Sequence, residues 1–285
     1  IARAPVRISF GGGGTDLEAY YGRYGGMVIS AAINKYFYTL ISGELNGGGI
    51  QVISSDYHTF YRHVPEQPSF WNGNLQLPVT VLAHFGLRRS CNMFLASEVP
   101  PGTGLGSSGS VAVTLVQAVS ALCDRPLSRA DIAETAAYIE IEKMGMPVGK
   151  QDQYAAAFGG LNVITFEPGK VSVTPVAMTR QSIAALEHSL LLFFTGSTRD
   201  SSNILRHQKR ASERDESEVI SALHAIKRLA EEIRQALEAG ALDEFGDLLH
   251  RSWEHKKKLA SNVTNARIDE AYALARDHGA RGGKI

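Results

Sequence analysis

Short runs of apolar residues, separated by glycine and other turn-forming residues, fill the first half of the chain. Runs of this kind, rich in β-branched and aromatic side chains, are typical of β-strands. They predict strands over residues 5–10, 27–33, 37–41, 50–54, 91–99, 161–166 and 171–175. A later apolar run, residues 190–194, predicts one more short strand in a hydrophobic core.

Apolar residues at helical spacing mark the second half of the chain. One stripe stops at Gly240, a second includes Trp253, and a third ends at Gly279, after which the chain returns to a strand at Lys284. In the first half, similar spacing predicts helices over residues 17–21, 130–144 and 153–158, and a further helix that follows residue 110. Ser128 is expected to cap the second of these. Strands mixed with segregated helices predict an α+β fold.

The composition is ordinary for a globular protein, since 44% of the 285 residues are hydrophobic and 20% are charged. This length predicts two domains or one large one. Lys and Arg together number 29, as do Asp and Glu, so no net charge draws nucleic acid or an anionic membrane. No apolar run approaches the ~20 residues of a membrane-spanning helix. The two cysteines, Cys91 and Cys123, suit the reducing environment of a cytoplasm. The two ends of the sequence, at Ile1 and Ile285, look trimmed.

Residues 100–110 form a glycine-rich stretch between a predicted strand and a predicted helix. Glycines let backbone N–H groups approach a ligand, and the N-terminus of a helix favours an anion. The stretch is not a Walker A loop, because Ser110 stands where that motif has lysine. Residues 11–14 are not a dinucleotide fingerprint, since Asp16 replaces its last glycine. A phosphate-binding loop and a plain turn before a buried helix both fit residues 100–110.

Two carboxylates, Glu140 late on a predicted helix and Asp152 after the following glycine turn, can face a single cleft. Phosphoryl transfer uses such a pair, one to hold Mg²⁺ and one to orient or deprotonate the accepting hydroxyl. The structural alternatives are an N-cap for Asp152, at the start of the helix over 153–158, and a solvated helix face for Glu140.

A third cluster near the N-terminus places Arg7 inside a strand and Asp16 after four successive glycines. A carboxylate in that position can accept hydrogen bonds from the hydroxyls of a sugar. The alternative is that Asp16 caps the helix over 17–21 and that Arg7 reaches the edge of a sheet.

Together the three clusters resemble the motifs of the galacto-, homoserine, mevalonate and phosphomevalonate (GHMP) kinase superfamily. Its motif Pro-x-x-x-Gly-Leu-x-Ser-Ser matches the stretch that ends at Ser108. The galactokinase motif, Glu and six residues before Pro-x-Gly-x-x-Asp-Gln, matches Glu140 to Gln153. The first motif of the superfamily, Ala-Pro-x-Arg followed by Thr-Asp, matches the residues from Ala4 to Asp16.

Within this superfamily the chain is most similar to the D-glycero-D-manno-heptose 7-phosphate kinases, over nearly its whole length. The likeness is carried by residues 10–16, 149–156 and 195–203, and residues 279–285 look like the lead-in to a third glycine motif after Ile285. The resemblance implies an α+β fold of two domains. These would be a ribosomal-S5-like, ATP-binding domain over 1–182 and a ferredoxin-like domain over 183–285.

The resemblance also implies ATP and Mg²⁺ as cofactors and a role for each motif residue. Asp152 would be the catalytic base with Arg7 beside it, and Ser108 and Glu140 would hold Mg²⁺. The expected ATP-binding residues are Pro101, Gly102, Gly104, Leu105, Gly106, Ser107, Ser108 and Gly109. The expected substrate-binding residues are Gly13, Gly14, Thr15, Asp16, Gln151 and Arg199.

The implied reaction phosphorylates the anomeric hydroxyl of heptose 7-phosphate and gives the 1,7-bisphosphate. Arg199, among the hydroxyl-bearing residues 197–203, is expected to bind the phosphate already on the sugar, with helix capping as the alternative for this segment. A kinase for an unphosphorylated sugar of fucose, galactose or mannose type stays open, as does a sugar-sensing regulator without turnover. The neutral charge disfavours RNA binding by an S5-like domain, and no pattern indicates the oligomeric state.

Overall fold

The computed structural model describes residues 1–43, 49–55, 59–63, 75–87, 90–195, 206, 210, 212–214, 216–257, 259 and 263–285. Its strands are β1 (Ala2–Gly11), β2 (Gly26–Gly43), β3 (Ile50–Ser54), β4 (Thr59–His63), β5 (Cys91–Ser97), β6 (Leu161–Glu167) and β7 (Lys170–Pro175). Its helices are α1 (Glu18–Tyr24), α2 (Gln76–His84), α3 (Ser107–Leu122), α4 (Arg129–Tyr138), α5 (Gln151–Phe158), α6 (Arg180–Ser189), α7 (Ser217–Ala239), α8 (Leu242–Lys257) and α9 (Ala266–Asp277). A π-helical turn, Ile139–Lys143, continues α4.

The chain is organised as two compact units, to which separate stretches of sequence contribute. The first unit contains Ile1–Arg7, Ala32–Met146 and Asp152–Gly159. The second contains Ile8–Ala31, Pro147–Gln151 and Gly160–Ile285. The strands β1 and β2 therefore each have residues in both units. The expected division into domains over 1–182 and 183–285 stays a prediction.

In the first unit, the strands pair in the order β4, β3, β5, β2. β3 runs parallel to β5, with Ile50 opposite Cys91, and the other two pairs are antiparallel. Alternate residues of β5 are buried, Met93 and Leu95 among them, whereas Phe94 between them is 39% exposed. This alternation gives the sheet one buried face, which shares a hydrophobic core with α2, α3 and α4.

In the second unit, residues 26–31 of β2 pair antiparallel with β6, which in turn pairs antiparallel with β7. The long helix α7 buries an apolar stripe that includes Ile233 in a core with β6 and α8. Phe10 and Phe245 meet edge to face in that core, with their ring centroids 5.2 Å apart. Gly240 ends α7 in the left-handed conformation at φ 70°, which confirms the predicted stop.

Most of the predicted elements are present, although two predicted strands are joined and three elements were missed. Ser128 caps α4 as predicted, because its hydroxyl accepts a backbone N–H of the first turn at 3.2 Å. The strands predicted over 27–33 and 37–41 are one continuous strand, β2. The exposed polar residues Asn34 and Lys35 between them stay extended instead of forming a turn. β4, α2 and α6 were not predicted.

Two predicted strands do not form in the described part of the chain. Residues 190–194 belong to neither a strand nor a helix, and Leu191 and Phe193 are 80% and 74% exposed. Lys284 also lies outside any strand. An apolar run becomes a strand only where a neighbour takes its backbone hydrogen bonds, and the described residues provide none along 190–194. The prediction of a core strand at 190–194 is therefore wrong.

Three further features concern the cysteines, the distribution of the helices and their apolar character. Cys91 and Cys123 are free thiols, and Cys91 is buried in the core of the first unit. Beyond residue 175 the described elements are all helices, which is the segregation that an α+β fold predicts. Among the described helices, none has the length and apolar character to cross a membrane.

Candidate active site

The glycine-rich stretch joins β5 to α3, which confirms the predicted order of strand, loop and helix. Gly102, Gly104 and Gly106 have φ values between 72° and 76°, a left-handed conformation that favours glycine. Gly106 immediately precedes α3, and no side chain caps that helix end. The first N–H groups of a helix lack intrahelical partners, so this end of α3 presents hydrogen-bond donors and a positive dipole to an anion.

An ion pair between Arg7 and Asp152 lies beside this loop, within the first unit. Arg7 donates to Asp152 Oδ1 from Nη2 at 2.6 Å and from Nε at 2.9 Å. Its remaining nitrogen, Nη1, donates to the carbonyl of Gly104 at 2.7 Å. The side chain of Arg7 is 12% exposed and that of Asp152 is 27% exposed, so solvent still reaches the carboxylate. Arg7 thereby fixes the loop and the carboxylate relative to each other.

Two glycines make room for this ion pair. A Cβ on Gly109 would lie 2.6 Å from the Cβ of Asp152 and 2.9 Å from the backbone N of Gln153, closer than side chains pack. A Cβ on Gly106 would lie 3.1 Å from three side-chain atoms of Arg7. The alternative that Asp152 is an N-cap does not hold, because α5 begins one residue earlier and Asp152 lies within its first turn.

Glu140 is fully buried in the π-helical turn that continues α4. Its Oε1 accepts the hydroxyl of Ser108 on α3, and its Oε2 accepts Nε2 of Gln153 at 2.5 Å. The alternative of a solvated helix face is therefore wrong. Turns of this rare type are frequent at functional sites, where they redirect individual side chains.

Burial raises the pKa of Glu140 from 4.5 to about 7, because removal from water opposes the charged form more than the hydrogen bonds from Ser108 and Gln153 favour it. The charge of Asp152 raises the pKa further. Such a carboxylate is stabilised in its charged form by a cation. A carboxylate and a hydroxyl are the oxygen ligands that Mg²⁺ takes, usually with phosphate oxygens and water. Ser108 and Glu140 thus fit Mg²⁺ bound together with a phosphate.

The described residues offer no group of three or more His, Cys, Asp or Glu side chains that could hold a metal ion. A Mg²⁺ site that uses one carboxylate, one hydroxyl and the oxygens of a bound triphosphate does not need such a group.

In the second unit, Asp16 is 2% exposed at the end of the N-terminal glycine run. Its carboxylate accepts the N–H of Gly14 at 2.9 Å, the N–H of Gln151 at 3.3 Å and Nε2 of Gln151 at 3.2 Å. Thr15 holds the same turn by donating from Oγ1 to the carbonyl of Gly12 at 2.8 Å. No side chain caps α1, so the alternative role of Asp16 as a helix cap is wrong.

Gly149 allows Asp16 to lie against the segment that leads into α5. A Cβ on Gly149 would lie 1.9 Å from Asp16 Oδ2, so no other residue fits there without displacing the carboxylate. Gln151, in the second unit, and Asp152, in the first, are consecutive residues. Gln151, whose side chain binds Asp16, is therefore followed directly in the sequence by Asp152, whose side chain binds Arg7.

Each unit contains predicted site residues that contact one another. Within the first unit it joins Arg7 to Asp152 and Ser108 to Glu140, and within the second it joins Asp16 to Gln151. Arg199, the predicted phosphate ligand, lies outside the described residues, so its role stays a prediction.

Two contacts were missed by the sequence analysis. Gln153 binds Glu140, although the motif that ends with Gln153 was a usable signal. Lys256 donates from Nζ to the carbonyl of Gly13 at 3.1 Å. No motif marks Lys256, which stands in a run of three lysines near the end of α8.

Comparison with known proteins identifies the family. Residues 76–160 match GHMP kinases N terminal domain, and residues 233–285 match GHMP kinases C terminal. The D-glycero-alpha-D-manno-heptose 7-phosphate kinase of Campylobacter jejuni is 33% identical to the chain, over 99% of the chain and 84% of that protein. The chain belongs to the GHMP kinases.

Further relatives agree with this family. The crystal structure of a D-glycero-D-manno-heptose 1-phosphate kinase from Bacteroides thetaiotaomicron has a TM-score of 0.80 and 32% identity, and the match covers 100% of this chain and 84% of that one. The L-fucokinase/L-fucose-1-P guanylyltransferase of Bacteroides fragilis is 24% identical over 97% of this chain and 32% of its own length. The predicted α+β fold, with an N-terminal and a C-terminal GHMP kinase domain, is confirmed.

The raised pKa of Glu140 predicts that the ligand-free kinase loses stability as the pH rises from about 4.5 to about 7. The folded state holds the Glu140 proton more tightly than the unfolded chain does, so losing that proton opposes folding. Glu140→Gln should remove this loss, which amounts to about 3 kcal/mol between these limits. Urea unfolding of both proteins at pH 5 and pH 8, with a chelator present, measures it. The same pH dependence in both proteins would contradict the prediction.

Gly109→Ala is expected to destabilise the kinase by about 1–3 kcal/mol, because the new Cβ overlaps atoms of Asp152 and Gln153. Gly43→Ala is the matched control, since nothing lies within 4 Å of a Cβ at that position. Denaturant midpoints of the two variants measure the difference. A Gly109→Ala protein as stable as its control would show that α3 and α5 do not approach as closely as the structure describes.

Proposed function

We propose that this GHMP kinase transfers the γ-phosphoryl group of ATP to the anomeric hydroxyl of D-glycero-D-manno-heptose 7-phosphate, giving ADP and the 1,7-bisphosphate. The observation that carries the proposal is the ion pair of Arg7 with Asp152 beside the glycine-rich loop. Two relatives above 30% identity are named as heptose phosphate kinases, which supports the substrate class. A cytoplasmic location, where ATP is available, belongs to the same proposal.

The triphosphate of ATP is proposed to bind at residues 101–109 and the start of α3. Gly102, Gly104 and Gly106 keep this backbone free of side chains where phosphate oxygens would approach its N–H groups. Ser107 and Ser108 add hydroxyl donors in the first turn of α3. Backbone N–H donors and the positive end of the helix dipole can stabilise the negative charge of a triphosphate, so the loop does not need a lysine.

Asp152 is proposed as the general base. Both hydrogen bonds from Arg7 go to Oδ1, and Oδ2 of the partly exposed carboxylate accepts the substrate hydroxyl. As the hydroxyl oxygen bonds to the γ-phosphorus, its proton passes to Asp152. The bond between the γ-phosphorus and the bridging oxygen breaks, and that oxygen leaves with ADP. Arg7 offsets the negative charge that surrounds the transferring group.

Ser108 and Glu140 are proposed to hold Mg²⁺, which when bound neutralises charge on the β- and γ-phosphate oxygens. Glu140 is suited to this role because its burial leaves a negative charge that one hydroxyl and one amide do not fully compensate. Gln153 keeps the carboxylate oriented through its bond to Oε2. The arrangement holds Glu140 in position before a nucleotide binds.

The sugar hydroxyls are proposed to be read by Asp16 and Gln151, within the turn formed by Gly13, Gly14 and Thr15. Three N–H groups orient the Asp16 carboxylate, and a carboxylate is a suitable acceptor for the hydroxyls of a sugar. A buried acceptor held in this way discriminates against substrates that lack the matching hydroxyl.

A second candidate is a kinase for an unphosphorylated sugar, since one relative is named as an L-fucokinase. Release of ADP with a panel of sugars distinguishes the candidates. The panel contains heptose 7-phosphate, heptose 1-phosphate, mannose, fucose and galactose. We expect the highest kcat/KM with heptose 7-phosphate. A higher value with a free sugar would favour the second candidate, and ADP release with none of them would leave the sugar-sensing regulator.

Glu140→Gln is expected to lower Mg²⁺-dependent turnover by at least about 10-fold, because an amide is a weaker ligand for a hard cation than a carboxylate. Initial rates across a range of Mg²⁺ concentrations measure the effect. Glu142→Gln is the matched control, as Glu142 lies two residues further on and is exposed. Unchanged rates in Glu140→Gln at every Mg²⁺ concentration would show that Glu140 does not bind the metal.

Asp152→Asn is expected to lower kcat by about 10²–10⁴, since an amide cannot accept the hydroxyl proton. Binding of an unreactive ATP analogue, followed by calorimetry, should change little because Asn keeps the size and the contact with Arg7. Asp124→Asn is the control, at an exposed residue after α3. A kcat within a few-fold of the parent enzyme would remove Asp152 from the role of base.

A further inference from the structure

The first turn of α3 packs against the two elements that carry the carboxylates of the first unit. Ser108 donates its hydroxyl to Glu140 on the π-helical turn. A Cβ on the next residue, Gly109, would lie 2.6 Å from the Cβ of Asp152, so α5 approaches this turn directly. Successive residues of an α-helix point about 100° apart, and each can therefore contact a different neighbour.

Ser110, the residue that follows, connects the same helical turn to a third element, β1. Its hydroxyl donates to the carbonyl of Pro5 at 2.8 Å, and Pro5 precedes Arg7 on β1 by two residues. Serine hydroxyls inside a helix commonly bond to a carbonyl of the preceding turn. Ser110 makes such a bond to the carbonyl of Gly106 at 3.3 Å, but its shorter bond leaves the helix. The hydroxyl thus joins α3 to the strand that carries Arg7.

The burial of Ser110 shows that it acts without touching a ligand. Its exposed fraction is 0%, and both of its hydrogen bonds go to backbone carbonyls. Burying a hydroxyl costs free energy unless the group is hydrogen-bonded, so packing alone favours alanine at such a position. The bond to Pro5 is therefore the feature that a serine adds here.

The strand β1 is attached to the glycine-rich loop as well as to α3. The N–H of Arg7 donates to the carbonyl of Leu105 at 2.9 Å, and its Nη1 donates to that of Gly104 at 2.7 Å. These bonds hold Arg7 to the loop before α3 begins. The bond from Ser110 to Pro5 holds the same strand to the helix itself. Attachments on both sides of the helix start fix the direction from which β1 presents its guanidinium.

We infer that Ser110 is a positioning residue for phosphoryl transfer, because its hydroxyl sets the place of Arg7 relative to the helical turn that contacts Glu140 and Asp152. The inference rests on the proposed function and adds to it a residue that contacts neither substrate nor cofactor. A misplacement of about 1 Å can lower a reaction rate by about 10². The loop that would bind the triphosphate keeps its own bonds to Arg7, so the hydroxyl affects turnover more than nucleotide binding.

Ser110→Ala tests the inference, because it removes the hydroxyl and leaves the helix intact. We expect kcat to fall about 10-fold with the sugar that has the highest kcat/KM, while the KM values for ATP and for the sugar stay the same. Ser120→Ala is the matched control. Ser120 is also buried on α3, at 2% exposure, and its hydroxyl bonds to the carbonyl of Gln117 in the same helix at 3.1 Å. Ser110→Thr keeps a hydroxyl and should recover most of the parent kcat.

Three results of these assays would overturn the inference. The first is a kcat of Ser110→Ala equal to that of Ser120→Ala. The second is a Ser110→Ala protein that does not fold at a temperature where Ser120→Ala is folded, since the hydroxyl would then serve stability alone. The third is a folded Ser110→Thr protein as slow as Ser110→Ala, because the hydroxyl would then not be the group on which turnover depends.

A measurement that needs no turnover separates this inference from the proposed function. The Nε–H of Arg7 donates to Asp152 Oδ1 at 2.9 Å, and its nitrogen-15 NMR signal is identified as the one absent from Arg7→Lys. Ser110→Ala should shift this signal, whereas Ser120→Ala should leave it at the parent position. If no sugar is phosphorylated, the proposed function fails, and the Arg7 signal alone decides the inference. A shifted signal in Ser110→Ala supports the inference, and an unchanged signal overturns it in either case.

Discussion

The first unit of this kinase depends on the ion pair between Arg7 and Asp152. Because both groups are partly buried, separating them would leave each charge without compensation. β1 carries Arg7 to Asp152, and the same guanidinium holds the Gly104 carbonyl of the glycine-rich loop. The pair fits only because Gly106 and Gly109 have no side chain to fill the space. Glycine is thus required in this region for two separate reasons. Those with positive φ shape the loop, whereas Gly109 lets α3 approach α5.

The two carboxylates that are buried among the described residues differ in how their charge is compensated. Three N–H groups bind Asp16, whereas Glu140 receives one hydroxyl and one amide. Burial raises the pKa of Glu140 because its two hydrogen bonds do not fully compensate the negative charge. A bound cation would stabilise the charged form. These environments support the roles proposed for the two carboxylates, a metal ligand for Glu140 and an acceptor of sugar hydroxyls for Asp16. The difference between the two carboxylates follows from the hydrogen-bond donors around each one, and the spacing of residues in the sequence alone does not reveal it.

The sequence predicts local features well. The strand, loop and helix around residues 91–122 and the Ser128 cap depend on neighbouring residues, and both are present. Features that depend on distant partners were harder to predict. The apolar run 190–194 has the composition of a strand, but pairing is decided by another strand, and none lies along it in the described residues. Lys256 contacts Gly13 across 243 residues of sequence, a relation that no periodic pattern contains. The buried state of Glu140 likewise depends on α3 and α5 packing around its turn.

These observations support a kinase in which a rigid charge arrangement is prepared before ATP and sugar bind. Phosphorus-31 NMR of the product formed from ATP, Mg²⁺ and heptose 7-phosphate is the most direct test of the proposed reaction. We expect a new phosphoester signal coupled to the anomeric proton, next to the unchanged signal of the 7-phosphate and in equal amount to the ADP formed. A new phosphoester at any other carbon, or ADP formed without a phosphorylated sugar, would contradict it.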